Sequence, residues 1–256
     1  HKTKEVQRAQ KTVPLVELEA RLADAPDVRS FFDALATPGP GGANVIAEVK
    51  RASPSKGVFR ADLNAAIQAR AYVAGGARAI SVLTDEVFFQ GTLADLSAVR
   101  AVSPVPVLRK EFILEPYQIT EARVAGADAV LLIVRMLSPE KLGELLACCQ
   151  SHGMEALVEI HGEAELDIAV RSGARLIGIN NRDLATFATD LEIALRLARR
   201  LPADRIPVAA SGIRDRADIV YNLDQGVFNF LIGESLVRSA DPIHHLGELL
   251  GREGGA

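Results

Sequence analysis

The stretch VPVLRKEFILEPYQITEARVAGADAVLLIV, at residues 105–134, holds one full unit of the pattern that decides the fold. It begins and ends with short apolar runs, VPVLR at 105–109 and AVLLIV at 129–134, and the segment between them has the periodicity of a helix. That segment ends at Gly126, and glycine readily adopts the left-handed conformation found just beyond a helix. The unit therefore predicts a strand, a helix and a second strand parallel to the first.

Eight apolar runs of this kind recur along the chain, with starts roughly 20 to 35 residues apart, which is the room that a strand, a helix and two loops need. The runs are VIAEV (45–49), AISVLT (79–84), VPVLR (105–109), AVLLIV (129–134), EALVEI (155–160), LIGI (176–179), IPVAA (206–210) and FNFLIG (228–233). Most are continuously apolar, as expected of parallel strands covered on both faces. The pattern predicts an α/β protein with a single (β/α)8 barrel, the TIM barrel, at residues 45–256, and an N-terminal helical extension and linker at residues 1–44.

A doubly wound sheet of eight strands is the structural alternative. It would normally carry a glycine-rich turn after its first strand, whereas this sequence reads KRASPSKG at 50–57. Helix starts are predicted after Asp62, Ser138 and Asp190, whose side chains can accept hydrogen bonds from the first N–H groups of a helix. Helix ends are predicted at glycines that precede a strand, namely Gly76, Gly126, Gly173 and Gly226.

The composition is that of an ordinary globular protein, with 48% hydrophobic residues, 24% charged residues and a net charge of −4. Since the chain has 29 basic and 33 acidic residues, it has no surplus of positive charge with which to bind nucleic acid, and we expect no such partner. No stretch reaches the roughly 18 apolar residues of a membrane span, so we expect no membrane association and a cytoplasmic location. The adjacent Cys148 and Cys149 fit a reducing compartment and are too few for a structural zinc site.

Polar residues at the ends of the predicted strands indicate where chemistry takes place, because the active site of such a barrel lies at the carboxyl ends of its strands. They are Glu48, Lys50, Lys110, Glu159, Asn180, Asn181, Arg182, Ser211, Gly212, Gly233 and Glu234. Glu48 and Glu159 stand out, because a carboxylate in an apolar strand needs a partner, and the two lysines can supply it. Taken alone, a charged residue of this kind more often has a structural role than a catalytic one. The set offers a cationic acid and an anionic base for proton transfer on a carbonyl-bearing substrate.

The glycines after strands seven and eight lie where barrels often bind phosphate through backbone N–H groups. Gly212 and Gly233 would let a ligand approach the backbone closely, and Ser53 beside Lys50 would add a hydroxyl donor. We therefore expect a small phosphorylated substrate. Lys110 could alternatively be a Schiff-base nucleophile, as in class I aldolases, which requires a desolvated lysine.

Eight strings, in chain order and spread over nearly the whole sequence, resemble motifs of the indole-3-glycerol-phosphate synthase family. They are IAEVKRASPSKG, SVLTDEVFFQGTLADL, PVLRKEFILEPYQI, ADAVLLIV, ALVEIHGEAEL, IGINNRDL, ASGI and FLIGESLVRSADP. The resemblance implies a lyase of tryptophan biosynthesis that converts 1-(2-carboxyphenylamino)-1-deoxyribulose 5-phosphate into indole-3-glycerol phosphate, releasing carbon dioxide and water without cofactor or metal. A phosphoribosylanthranilate isomerase or an aldolase would not explain the strings KRASPSKG and INNRDL.

The resemblance also implies roles for individual residues. Lys110 would be the general acid of ring closure, Glu159 the partnering acid/base of dehydration, and Glu48 would orient these groups together with Lys50. The phosphate would be held by Lys50, Ser53, Gly212, Gly233 and the backbone of Glu234. Asn180, Arg182 and Ser211 would line the site, and the anthranilate ring would pack on Phe89, Phe112, Leu131, Leu184 and Ile232.

Two positions depart from the family pattern. Ala210 stands in ASGI where the family has the glutamate of ESGI, and Val87 stands where a lysine is common. Loss of that carboxylate predicts a weakened enzyme, and together with the start at His1 it suggests a truncated or engineered form. Two other hypotheses stay open, a redesigned barrel that abstracts a proton in a Kemp-type elimination and a catalytically silent binder of phosphate and anthranilate. We expect a monomer or a weak homodimer.

Overall fold

The computed structural model describes residues 1–182 and 189–252. Eight parallel strands close into a barrel in the order β1-β8-β7-β6-β5-β4-β3-β2, which confirms the predicted fold. The strands are β1 (Asn44–Val49), β2 (Ala79–Leu83), β3 (Val107–Lys110), β4 (Ala129–Ile133), β5 (Glu155–Ile160), β6 (Leu176–Asn180), β7 (Ile206–Ala210) and β8 (Asn229–Ile232). After β1 the chain forms a small antiparallel hairpin from Ala52–Ser53 and Gly57–Val58.

The α-helices lie before the barrel, between its strands and after its last strand. Three precede β1, namely α1 (Lys2–Thr12), α2 (Leu15–Arg21) and α3 (Phe31–Ala36). The others are α4 (Ala65–Gly75), α5 (Glu86–Phe89), α6 (Leu93–Val102), α7 (Pro116–Val124), α8 (Pro139–Ser151), α9 (Glu163–Arg171), α10 (Glu192–Ala198), α11 (Arg216–Leu223), α12 (Glu234–Arg238) and α13 (Pro242–Leu249). In the part of the chain that the structure describes, no helix is long and apolar enough to cross a bilayer.

The barrel interior is filled by side chains from alternate positions of the strands, as the two-residue period of a strand requires. Ile46, Leu108 and Leu157 belong to this inner cluster. Phe31 and Leu35 of α3 join the same cluster and are completely buried, so this helix closes the end of the barrel at which the strands begin. The opposite end is left for the polar residues that follow the strands.

Several element boundaries differ from the sequence-based expectation for identifiable reasons. Helix α4 is capped by Asn64, whose Oδ1 accepts from the N–H of Ile67, so the prediction of a cap at Asp62 was wrong. Ser138 caps α8 as predicted. Asp190 still accepts from the first N–H of α10, but the helix begins one residue later than predicted, at Glu192.

The glycines predicted at helix ends all have the left-handed backbone expected of them, with φ of 100° at Gly76 and 92° at Gly126. Gly173 and Gly226 follow with φ of 85° and 84°. A side chain is strained in this conformation, so glycine is what lets the chain turn from each helix into the next strand.

Candidate active site

A cavity of about 1140 Å³ lies at the carboxyl ends of the strands. With the exception of Asn181, all the predicted site residues that the structure describes line it: Glu48, Lys50, Ser53, Phe89, Lys110, Phe112, Leu131, Glu159, Asn180, Arg182, Ser211, Gly212, Ile232, Gly233 and Glu234. The expectation that Asn181 faces the cavity was wrong, because its side chain is completely buried, donates to the carbonyl of Ser211 and accepts from the N–H of Ala194. Leu184 lies outside the described residues. The eight strands thus bring together side chains that are up to about two hundred residues apart in the sequence, as the barrel geometry predicts.

Glu48 lies between the two lysines at this end of the barrel. Its side chain is almost fully buried, and its two oxygens accept from different partners, Oε1 from Nζ of Lys50 at 2.7 Å and Oε2 from Nζ of Lys110 at 2.6 Å. Burial alone would raise the pKa of Glu48, but the charges of Lys110 and Lys50 and their hydrogen bonds hold it at about 2. Glu48 is therefore a carboxylate at neutral pH and fixes both ammonium groups in place.

Lys110, at the end of β3, is held as a cation. Burial works to lower its pKa, but the nearby charges of Glu48 and Glu159 outweigh burial, and the pKa of Lys110 is raised. Glu159, at the penultimate position of β5, contacts the amide of Asn180, whose Nδ2 donates to its Oε1 at 3.3 Å. A protonated amine and a carboxylate thus face one cavity from neighbouring parts of the barrel.

The ends of β7 and β8 place backbone close to the cavity. A Cβ at Gly233 would come too close to Oε1 of Glu48 and within 2.9 Å of Nζ of Lys50, so a larger residue there would force the ends of these side chains to shift. Ser211 and Gly212 have φ of 69° and 88°, a left-handed turn that follows directly on β7. Nearby, the hydroxyl groups of Ser53 and Ser235 are buried without a hydrogen-bond partner among the described residues. Hydroxyl and ammonium groups can all donate hydrogen bonds to an anion, so two buried hydroxyls without partners and a nearby lysine make this end of the cavity suitable for one.

One wall of the cavity is apolar. The rings of Phe89 and Phe112 lie 6.2 Å apart, and Phe88 meets Phe112 edge-to-face at 6.3 Å. Leu131 and Ile232 add aliphatic surface to the same cavity. This combination suits an aromatic ring, because its faces can pack on the aromatic and aliphatic side chains.

The structure adds residues to the site that the sequence patterns did not single out. Nη1 of Arg182 donates to Oγ of Ser55 at 2.8 Å, which brings the hairpin after β1 onto the cavity. Arg238 of α12 stacks on Phe59 at 4.7 Å. The imidazole of His161 lies 3.4 Å from Glu159. Its position two residues after Glu159 in a strand end was the one available signal.

Ala210 ends β7 with its side chain buried at 4% exposure. Its register partners are Asn180 on β6 and Leu231 on β8. Ala210 joins the apolar cluster inside the barrel, so the position that departs from the family pattern points inward. A carboxylate there would enter the mouth of the barrel beside Asn180.

Within residues 1–182 and 189–252, no three His, Cys, Asp or Glu side chains form a group that could hold a metal ion. The chemistry that the arrangement itself offers is acid–base chemistry. Two ammonium groups, two carboxylates, an apolar wall and two buried hydroxyl groups without partners among the described residues lie around one cavity.

Comparisons with known proteins agree with this geometry. The family profile described as "Indole-3-glycerol phosphate synthase" matches residues 1–249. An indole-3-glycerol phosphate synthase from Syntrophobacter fumaroxidans is 52% identical over 250 residues, which is 98% of this chain and 94% of that protein. One from Desulfosudis oleivorans is 51% identical over 250 residues, 97% of this chain and 95% of that protein. The solved 3-hexulose-6-phosphate synthase from Salmonella typhimurium covers 81% of this chain and 97% of its own, with a TM-score of 0.65; at 13% identity this likeness concerns the fold alone.

Proposed function

The chain belongs to the indole-3-glycerol phosphate synthase family, and on that premise we propose how its own residues perform the reaction. The enzyme is a carboxy-lyase of tryptophan biosynthesis. It closes the ring of 1-(2-carboxyphenylamino)-1-deoxyribulose 5-phosphate and releases one carbon dioxide and one water to give indole-3-glycerol phosphate. The hypotheses of a redesigned barrel and of a silent binder are not favoured, because relatives of about half identity match nearly the whole chain.

Lys110 is the general acid in this proposal. Ring closure places developing negative charge on the substrate carbonyl oxygen, and the ammonium group of Lys110 donates a proton to it. The raised pKa of Lys110 supports this role and opposes the Schiff-base alternative, because an amine that keeps its proton is not a nucleophile. Glu48 holds Nζ of Lys110 at 2.6 Å and so aims the donor.

Glu159 is the partnering acid/base of the dehydration step. Its side chain is buried, with 9% of it exposed, and Asn180 donates to it, so the carboxylate has a fixed orientation toward the cavity. In the cyclised intermediate it removes one proton and returns one to the departing hydroxyl, which leaves as water. Arg182 and Ser211 line the cavity beside this pair.

The phosphate binds at the ends of β7 and β8. Lys50 supplies the charge, Ser53 a hydroxyl, and the backbones of Gly212, Gly233 and Glu234 supply N–H donors. The buried, unpaired hydroxyl of Ser53 supports this assignment, because a phosphate oxygen would satisfy it. The anthranilate ring packs on the apolar wall that Phe89, Phe112, Leu131 and Ile232 form.

The observation that carries the proposal is the ion-paired triad of Lys50, Glu48 and Lys110 at the mouth of the barrel. Through Glu48 it keeps the proposed phosphate-binding cation, Lys50, a few ångströms from the proposed acid, Lys110. The test is turnover of the carboxyphenylamino substrate, followed by the fluorescence of the indole product. We expect Lys110→Met to lower kcat by a factor between about 100 and 10,000, as loss of a general acid does, with substrate binding retained. Full activity of Lys110→Met would contradict the assignment.

We also propose that the enzyme is cytoplasmic and a monomer or weak homodimer. The free Cys148 and Cys149 support a reducing compartment. Light scattering behind a sizing column tests the oligomeric state, and a mass of a tight dimer at micromolar protein would overturn that part of the proposal.

A further inference from the structure

His161 is a titratable side chain that the roles above leave unused. It follows directly after β5, and its side chain is only 4% exposed. Its imidazole lies between two carboxylates, with Nε2 3.4 Å from Oε1 of Glu159 and Nδ1 3.3 Å from Oε2 of Glu165. The protons on such a ring are set by the carboxylates on either side.

Glu165 determines which ring nitrogen carries a proton. It lies in the first turn of α9, its Oε2 accepts from the backbone N–H of His161 at 2.8 Å, and its Oε1 pairs with Nη2 of Arg135 at 2.9 Å. Burial would raise the pKa of Glu165, but the hydrogen bonds from His161 and the charge of Arg135 lower it. As a carboxylate, Glu165 only accepts hydrogen bonds, so Nδ1 of His161 carries a hydrogen.

Nε2 is then the ring nitrogen that can gain or lose a proton. It is buried and has no hydrogen-bond partner among the described residues, and Glu159 is the carboxylate 3.4 Å away. A single proton between Nε2 of His161 and Oε1 of Glu159 can be bonded to either atom. It can reside on Nε2, which gives an imidazolium beside a carboxylate, or on Oε1, which gives a neutral imidazole beside a carboxylic acid.

We propose that His161 is a positioning residue that shares one proton with Glu159, so that Glu159 can act first as a base and then as an acid. As Glu159 gives its proton to the departing hydroxyl, which leaves as water, the N–H bond at Nε2 breaks and a new O–H bond forms at Glu159. The proton that Glu159 removes from the cyclised intermediate as a base restores the N–H bond at Nε2, so the pair gains one proton and gives up one proton over the dehydration step. The inference rests on the role proposed for Glu159 above.

Charged groups from several elements face this pair and would affect its titration. They are Lys110 on β3, Arg135 after β4, Glu165 on α9 and Arg182 after β6. Two interacting sites lose their protons in two steps that belong to the pair. The pH dependence of kcat should therefore report both groups together.

The test compares His161→Asn, Glu159→Gln and the double variant, with His244→Asn as the control because His244 is exposed on α13. Far-UV circular dichroism and thermal unfolding establish that each variant folds. We expect His161→Asn to lower kcat about 10- to 100-fold with KM nearly unchanged, and to remove one limb of the kcat profile measured between about pH 5 and 9. The control His244→Asn should keep the kcat of the parent and both limbs of its pH profile.

The double variant separates this inference from the proposed function. If Glu159→Gln lowers turnover to a measurable residual rate and adding His161→Asn lowers it no further, the two residues act as one unit and the proposal stands; a further loss of about 10- to 100-fold in the double variant would show that they act independently. An unchanged kcat and pH profile in His161→Asn, beside an inactive Glu159→Gln, would overturn the role of His161 alone. Activity retained in Glu159→Gln would overturn both. Should His161→Asn not fold, Glu165→Gln serves in its place, because it frees the tautomer of His161 and should also change the profile.

Discussion

Glu48 is the residue on which the charge arrangement of the site depends. It is the shared partner of Lys50 and Lys110, and without it two ammonium groups would face each other in a buried setting. Removing one partner of a buried ionic network leaves uncompensated charge, which costs far more than the network contributes when complete. One carboxylate therefore holds both lysines in place.

Glu48→Gln should accordingly lower both activity and stability. We expect a loss of about 3–5 kcal/mol in the free energy of unfolding at neutral pH. Because the pKa of Glu48 falls on folding from 4.5 to about 2, its contribution is complete above pH 4.5 and is lost as the pH falls toward 2. Denaturant unfolding measured across this range should show a drop in the parent that the variant lacks. Exposed Glu19→Gln is the matched control, and an equal acid dependence in the parent and in Glu48→Gln would contradict the expectation.

Gly233→Ala should damage the site through volume alone. The added Cβ would press on Oε1 of Glu48 and Nζ of Lys50, so the ends of these two side chains must shift from their present positions. We expect KM for the phosphorylated substrate to rise roughly tenfold or more, about 1.4 kcal/mol of lost binding. Gly143→Ala on α8 is the control, because a Cβ there meets nothing within 4 Å and alanine favours a helix. Steady-state kinetics with an unchanged KM would show that the triad tolerates displacement.

Ala210→Glu should raise activity, if the carboxylate missing from the family pattern is what limits this chain. The new side chain would point into the barrel mouth beside Asn180 and add a third anion near the lysines. We expect kcat/KM to rise at least about tenfold, or about 1.4 kcal/mol of transition-state stabilisation. Ala210→Gln has nearly the same volume without the charge and is the matched control. Equal kinetics in the parent and Ala210→Glu would show that position 210 does not limit turnover.

At the scale of elements, α3 shows how the extension before the barrel contributes to the fold. Phe31 and Leu35 are completely buried against the barrel interior, at the end opposite the site. Phe32, one residue later, is half-buried and lies under the guanidinium of Arg175 at 3.7 Å. Helix α3 therefore packs one of its faces against the barrel core, and its adjacent face, which carries Phe32, lies at the edge of the molecule.

Phe31→Ala should destabilise the fold by about 3–5 kcal/mol, since a fully buried ring leaves a cavity that the barrel strands cannot fill. Phe32→Ala, the neighbouring control, should cost less than half of that, because its ring is partly exposed. Chemical denaturation gives both values. Neither variant should change kcat below its melting temperature, and equal losses of stability in the two would contradict the packing role of α3.

The elements could be predicted because their signals are local. All eight barrel strands lie within two residues of the apolar runs, with β3 beginning at Val107 rather than at Val105. The cap of α4 could not be chosen from the sequence, since Asp62 and Asn64 are both good cap residues. His161 was missed because its short spacings to Glu159 and Glu165 do not by themselves indicate that the imidazole is buried between the two carboxylates; that placement depends on the fold, which also pairs Glu165 with Arg135 from the loop after β4.

At the scale of the whole molecule, the first helix is connected to the site through a buried lysine. Nζ of Lys2 lies 2.9 Å from Asp85 and 3.0 Å from Glu111, and both carboxylates are almost fully buried. Asp85 caps α5, which carries Phe89, and Glu111 lies beside Phe112. The orientation of the apolar wall therefore depends on a residue more than eighty positions away in the sequence.

Lys2→Met should raise KM more than it lowers kcat, because it loosens the apolar wall that we propose to bind the anthranilate ring and leaves Lys110 in place. Two buried carboxylates would lose their cation, at a cost of about 3–5 kcal/mol in unfolding free energy. Burial alone would lower the pKa of Lys2, but its hydrogen bond to Glu5, the charge of Glu111 and the bond to Asp85 raise it to about 12. Its contribution is therefore complete below pH 10.5 and is lost as the pH rises toward 12. Lys4→Met, exposed on the same helix, is the control, and equal KM values in these two variants would show that α1 does not set the position of the wall.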